Sequence, residues 1–179
     1  KKIILRPDLK KDFKVVYTPL HGTGQVFAAD VLKSVGYDVY PLACQMTNDP
    51  DFSGVKSSNP ENKEAYDEAI AYAKEIGAKL VLATDPDADR LGVAVEHNGE
   101  FVLLTGNQSA ALVFDYLINT RKEFGTIPAD GFLFTTNVSS TLPVAIAKKF
   151  GLGVKITLTG FKFIGEKAFY DCEDLKVVK

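Results

Sequence analysis

Two cysteines, Cys44 and Cys172, are all that the 179 residues contain, and they stand far apart with no CxxC spacing. This pattern speaks against a disulfide scaffold and a structural zinc site, and for a reducing compartment. Charge of one sign is missing too: 21 Lys and Arg stand against 23 Asp and Glu, a net charge of −2. A duplex-binding protein carries a strong basic excess, so no nucleic-acid partner is expected. No apolar run approaches the roughly 18 residues of a membrane helix. The opening Lys1–Pro7 has basic residues but not the long apolar stretch of a signal peptide. No membrane association is expected, and the expected localisation is cytoplasmic. There is no internal repeat and no low-complexity tract. What is present is an ordinary globular composition, 46% hydrophobic and 25% charged, which excludes disordered, fibrous and collagen-like chains.

Short β-rich runs alternate with helical periodicity. Phe13–Tyr17, Tyr37–Leu42 and Lys79–Thr84 read as strands. Phe27, Ala28, Val31, Leu32 and Val35 recur at helical spacing before Gly36. Asn59 is placed to cap a helix with Pro60 at its first position, an inner face of Ala65, Ala69, Tyr72 and Ile76, and Gly77 at its end. Gly92–Glu96 and Phe101–Leu104 flank an Asn98-Gly99 hairpin turn. Thr105 and Gln108 form a capping box for a helix that uses Ala111, Leu112, Phe114 and Leu117 and runs towards Arg121. Gly131–Thr135 and Val154–Thr157 are further strands, with a helix over Thr141–Phe150 between them and another expected from Gly160 to Phe169. The expected fold class is therefore α/β, with mixed, largely parallel sheets flanked by helices. Two consecutive units are expected, residues 1–105 and 106–179. The second is incomplete, because two strands are fewer than a stable sheet usually has.

Ligands of open α/β sheets bind beyond the carboxyl ends of the strands, and four polar clusters fall there: 18–24, 84–90, 135–140 and 157–162. The sharpest is Asp85-Pro86-Asp87-Ala88-Asp89-Arg90. Carboxylates at i, i+2 and i+4 repel and raise one another's pKa, which a hard divalent cation with oxygen ligands resolves. An acidic solvated turn with Arg90 as local counter-ion is the plainer alternative. An EF-hand is disfavoured because Arg90 stands where its loop needs glycine and the flanks read as strands. Gly22-Thr23-Gly24 lacks both the third glycine of the dinucleotide fingerprint and a P-loop lysine. A dinucleotide-dependent oxidoreductase would rest on it alone, without an acidic residue near Tyr40–Leu42.

Four elements, in order, resemble the α-D-phosphohexomutases, most closely the phosphoglucomutase branch. They are Thr18-Pro19-Leu20-His21-Gly22-Thr23-Gly24, Val55-Lys56-Ser57-Ser58-Asn59-Pro60-Glu61, Asp85 through Gly92, and Thr159-Gly160-Phe161-Lys162-Phe163-Ile164-Gly165. The resemblance implies the second domain and part of the third of a four-domain enzyme, two consecutive α/β domains of that type. Such an enzyme interconverts hexose 1-phosphate and hexose 6-phosphate through a phosphoserine and a hexose bisphosphate, which serves as intermediate and activator. By the same resemblance Asp85, Asp87 and Asp89 would bind Mg²⁺, and Arg90 would lie near the phosphoserine. Thr159, Gly160 and Lys162 would face the sugar phosphate, with Lys162 as a phosphate contact or proton-transfer group. The Thr-Gly-Phe-Lys and Asp-Pro-Asp elements lean towards glucose.

The family's Thr-Ala-Ser-His-Asn-Pro nucleophile loop is not in the chain, nor are its Gly-Glu-Glu-Ser and Arg-Pro-Ser-Gly-Thr elements. Ser57 is therefore not expected to be the nucleophile. The missing N- and C-terminal domains become the implied partners, and the chain alone is expected to be inactive. The alternative is a non-catalytic divalent-cation or sugar-phosphate binding module.

Overall fold

In the computed structural model, residues 5–159 are described. β1 (Lys14–Thr18) is a buried interior strand of a five-stranded sheet, with Val15 to Thr18 at most 1% exposed. Its side chains alternate between two cores, as strand geometry requires. Val16 faces one core with Val81, Ala83 and Ala94, and Val15 and Tyr17 face the other with Val39. The strand order is β2-β1-β3-β4-β5, with β2 at Asp38–Pro41, β3 at Leu80–Thr84, β4 at Leu91–His97 and β5 at Glu100–Leu104. β1 runs parallel to β2 and β3, whereas β3–β4 and β4–β5 are antiparallel. The sheet is therefore mixed, and the Asp-rich segment joins two hydrogen-bonded antiparallel strands rather than a strand and a helix. Pro41, which cannot donate to a ladder, lies on the edge strand β2, where proline is tolerated.

Helices cover both faces. α1 (Ala28–Ser34) packs Ala29 and Leu32 on the Val15–Tyr17 side. Phe27 and Val31, expected on its inner face, point outward at 55% exposure each, so the apolar stripe is narrower than its periodicity implied. α2 (Asp67–Ile76) lays Ala69 and Ala73, both fully buried, on the other face. The small side chains let this helix sit close to Ala83 and Ala94, and Gly77 closes it in the left-handed conformation at φ +69°. Asn59 does not cap this helix. Its Oδ1 accepts from the Glu61 amide at 3.0 Å in a local turn, and a 3₁₀ turn over Lys63–Tyr66 precedes the helix. The Asn98-Gly99 turn forms with both residues at positive φ, +53° and +86°, as a two-residue hairpin of primed type needs.

The chain divides into two compact units, residues 6–109 and the part from residue 110 onward. α3 (Gly106–Glu123) opens on the expected capping box. The Thr105 amide donates to Gln108 Oε1 at 2.8 Å, and the Gln108 amide donates to Thr105 Oγ1 at 3.2 Å. Ala111 and Ile118 are buried along it, whereas Leu112 is 59% exposed and not part of its inner face. In the second unit β6 (Phe132–Thr136) and β7 (Gly153–Thr157) form a parallel pair joined through α4 (Leu142–Lys149). These are its two strands among the described residues. Phe132 and Phe134 project from one face at 52% and 46% exposure, with Lys155 Nζ 5.2 and 5.7 Å from their ring centres.

Candidate functional site

The apolar strand β3 ends in Thr84, and the pairing of Thr84 with Leu91 closes the six residues 85–90 into a hairpin loop. The Ala88 amide donates to the Asp85 carbonyl at 3.0 Å, and Ala88 takes a left-handed φ of +60°. That conformation costs a side-chain-bearing residue about 1–2 kcal/mol, and the neighbouring contacts must hold it. Inward packing of the strand carries Asp85 with it, so the Asp85 side chain is 1% exposed. Asp87 and Asp89 stand in solvent. One oxygen from each of the three lies within 4.8 Å of the others, and this is the one carboxylate, His or Cys cluster of its kind among the described residues.

Arg90 supplies both partners of the buried carboxylate. Its amide donates to Asp85 Oδ1 at 2.9 Å and its Nε to Oδ2 at 2.6 Å. Asp89 Oδ1 lies 3.8 Å from the same Nε. Burial pushes the Asp85 carboxyl up, but the two hydrogen bonds and the charge of Arg90 outweigh it and hold the group below the usual carboxylate range. Asp89 moves the opposite way, raised by the charges of Asp87 and then Asp85. One carboxylate is thus locked in its charged form beside two that repel each other.

Such a set fits a hard divalent cation. All donors are carboxylate oxygens, with no thiolate or imidazole among them. Oxygens on opposite sides of a Mg²⁺ ion at about 2.1 Å lie about 4.2 Å apart, so small closing motions of the two exposed side chains bring the set to that span. Water or a further oxygen ligand must complete the shell, as Mg²⁺ tolerates. The antiparallel strands on either side exclude a helix–loop–helix calcium site.

The 18–24 segment backs this loop. The Thr23 amide donates to the Pro86 carbonyl at 2.8 Å, and the Tyr17 hydroxyl meets Thr84 Oγ1 at 2.9 Å. A Cβ on Gly22 would fall on Pro86 Cα and lie 2.5 Å from its carbonyl oxygen, and one on Gly24 would meet Tyr17 Oη and Thr84 Oγ1. The Gly-Thr-Gly triplet therefore serves close approach to the Asp-rich loop. Leu20 and His21 both have left-handed φ values, +47° and +63°. They are held by the Leu20 amide donating to Thr18 Oγ1 (3.0 Å) and the His21 amide donating to the Gln45 carbonyl (3.2 Å). His21 Nδ1 lies 3.0 Å from the Thr47 carbonyl, which can only accept, so Nδ1 carries the proton. Nε2 is buried without a hydrogen-bond partner in the structure. Three of the five non-glycine residues with positive φ among the described residues lie in these two facing loops. Backbone strain of this kind collects at functional sites.

The 57–61 segment forms a third support that the sequence did not reveal. The Tyr66 hydroxyl donates to the Pro60 carbonyl at 2.8 Å, and a Cβ on Gly92 would collide with that hydroxyl and lie 2.5 Å from the same carbonyl. Ser57 Oγ accepts from the Asn59 amide (3.2 Å) and from Asn62 Nδ2 (3.0 Å), so it works as a local structural group. Thr159 is exposed beyond the end of β7, in the second unit. Gly160 and Lys162, the other two expected sugar-side residues, lie outside the described residues.

Residues 1–99 match the family model described as phosphoglucomutase/phosphomannomutase, alpha/beta/alpha domain II. A phosphoglucomutase of Staphylococcus haemolyticus is 40% identical over 169 residues, which is 92% of this chain and 30% of that protein. The chain thus spans about a third or less of the length of the curated relatives it matches. The crystal structure of a phosphoglucomutase/phosphomannomutase family protein from Burkholderia thailandensis superposes with a TM-score of 0.68 at 18% identity, covering 89% of this chain and 33% of the other. An N-acetylphosphoglucosamine mutase of Aspergillus fumigatus, solved with glucose 1,6-bisphosphate, gives 0.59 at 16% identity, covering 89% and 30%.

Proposed function

The chain belongs to the phosphoglucomutase/phosphomannomutase family, and on that premise we propose that it is the central, metal-holding part of a mutase. The complete enzyme would interconvert hexose 1-phosphate and hexose 6-phosphate in the cytoplasm. Residues 1–105 are assigned as the family's second domain and 106–179 as part of its third. The observation that carries the reading is the Asp85, Asp87 and Asp89 cluster, with a guanidinium already at its side. In support, the curated relatives at 37–40% identity are phosphoglucomutases.

Phosphoryl transfer asks for little covalent work from the protein and much positioning and charge neutralisation. Asp85, Asp87 and Asp89 would hold Mg²⁺, whose role is to offset the negative charge on the transferring phosphoryl group. The chain's own contributions would be these. Asp85, buried and fixed by the Arg90 amide, sets the position of the carboxylate set. Pro86 and the 18–24 segment keep the loop from collapsing outward. Arg90 offers a planar fork of donors to a phosphate oxygen pair. Thr159, Gly160 and Lys162 are assigned to the sugar side, with Lys162 gripping a phosphate or moving a proton. The nucleophilic phosphoserine and the grip on the distal phosphate would come from domains outside these 179 residues. Hexose bisphosphate is assigned as intermediate and activator, in keeping with the bisphosphate found in the Aspergillus structure.

A coupled assay of glucose 1-phosphate conversion tests the reading. The 179-residue chain, supplied with Mg²⁺ and glucose 1,6-bisphosphate, is expected to give no turnover, because nothing among its described residues orients two reacting groups or excludes water. The complete protein turns over and loses that activity in Asp87→Asn. A complete protein that binds sugar phosphate or Mg²⁺ without any conversion would make it a binding module instead.

A further inference from the structure

Asp85 is the one member of the carboxylate set that cannot reach water, with its side chain 1% exposed, and both its oxygens are taken by a single residue. A buried carboxylate left without a counter-charge is strongly unfavourable. The two bonds differ in kind. The amide bond to Oδ1 is fixed by the backbone, because Arg90 directly precedes the paired residue Leu91. The Nε bond to Oδ2 belongs to a side chain that is 53% exposed, on a stem with several staggered rotamers, and Asp89 Oδ1 lies 3.8 Å from the same Nε. A divalent cation and a guanidinium compete for the same oxygen and repel each other. We propose that Arg90 is the counter-ion of Asp85 in the metal-free protein and gives up Asp85 Oδ2 when a divalent cation binds.

The exchange rests on the assignment of Asp85, Asp87 and Asp89 as metal ligands and extends it. Oδ1 keeps its amide donor throughout, so Asp85 is never unsupported while the side-chain partner changes. Before the cation arrives, the guanidinium is turned towards the protein's own carboxylate. Afterwards its Nε and terminal amino groups are available together, which is the arrangement that grips a phosphate through two parallel bonds. Metal occupancy thereby makes the arginine available to the anion. Arg90 also lowers the cation affinity of its own site, which keeps the ion exchangeable.

Two measurements on the 179-residue chain test this. In ¹⁵N–¹H spectra, the Arg90 Nε–H of the wild-type chain is expected to be protected from solvent exchange without metal and to lose that protection on Mg²⁺ saturation. By calorimetry, Arg90→Gln is expected to bind Mg²⁺ about tenfold more tightly than wild type, the lower end for a hydrogen bond between charged groups. An Nε–H still protected at saturation, or weaker binding by a folded Arg90→Gln chain, overturns the exchange and makes Arg90 a fixed support. The first measurement uses only the wild-type chain and stands even if the variant does not fold. Absence of Mg²⁺ binding by wild type and variant alike removes the metal assignment and the exchange with it. Binding by wild type with Nε–H unchanged removes the exchange alone.

Discussion

Gly22→Ala isolates the contact between the 18–24 segment and the Asp-rich loop. Gly22 has φ −94° and ψ −175°, a conformation open to any residue, so the substitution carries no backbone penalty. The whole cost is contact. The added Cβ would lie 2.5 Å from the Pro86 carbonyl oxygen and 2.8 Å from its carbonyl carbon, where ordinary contact begins at 3.4 Å. The Pro86 backbone must therefore retreat by about 1 Å, on the scale of overpacking costs of about 1–3 kcal/mol. The Thr23 amide bond to the Pro86 carbonyl, now 2.8 Å, is stretched or lost and adds about 1 kcal/mol. The sum, about 2–4 kcal/mol, leaves a domain of ordinary stability folded. It should lower the urea midpoint by about 1–2 M at a typical slope. Because Pro86 adjoins Asp85 and Asp87, Mg²⁺ binding should weaken as well. Gly99→Ala is the control. Gly99 has φ +86° with no heavy atom within 4 Å of a built Cβ, so it should cost about 1–2 kcal/mol from backbone strain and leave Mg²⁺ binding untouched. Urea titration and calorimetry on the three chains decide the matter. A Gly22→Ala chain matching wild type in midpoint and in Mg²⁺ affinity would refute the packing of these two loops.

Asp87→Asn should abolish Mg²⁺ binding, since one of three carboxylates loses its charge. NMR shifts on titration of the wild type should be confined to residues 84–91, and shifts elsewhere that spare this loop would count against the site. Acid should act in two stages. Asp89, whose pKa is raised by its acidic neighbours, takes up a proton first, so Mg²⁺ affinity falls while the fold is intact. Asp85 has a folded pKa held below the usual 3.8. Its tie to Arg90 therefore adds stability above that pH and loses it as pH falls through the lower folded value. Acid unfolding of Asp85→Asn should lack that last stage, and an identical acid profile in the variant would refute the tie.

What could be read from the sequence was local in the chain. The Asn98-Gly99 turn, the Thr105–Gln108 box and the Lys79–Thr84 strand each state their geometry within a few residues, and they appear as expected. What could not be read depends on residues distant in sequence. Nothing near Gly22 announces that Pro86 will press on it, and nothing near Gly92 announces Tyr66. Each glycine is explained by a neighbour 26 to 64 positions away. The same holds for α1, where periodicity offers Phe27 and Val31 beside Ala28 and Leu32, but the sheet takes Ala28, Ala29 and Leu32 and leaves Phe27 and Val31 exposed. Asn59 cannot be told from a helix cap by sequence, because an Asx turn and a cap use the same side-chain oxygen. The antiparallel entry of β4 was invisible for a related reason: a loop of 85–90 suits a hairpin as readily as a crossover.

Lys155 changes how the aromatic face of β6–β7 behaves in concentrated solution. Two phenyl rings turned to water would attract their counterparts on a second molecule. An ammonium held over both rings puts like charge on each such face, and two copies approaching face to face must first bring their lysines together. The attraction of the cation for the rings is modest at an exposed position, but it keeps the charge where it repels most. Self-association of the chain should for this reason respond to salt, growing as added ions mask the lysines and shrinking as they are removed.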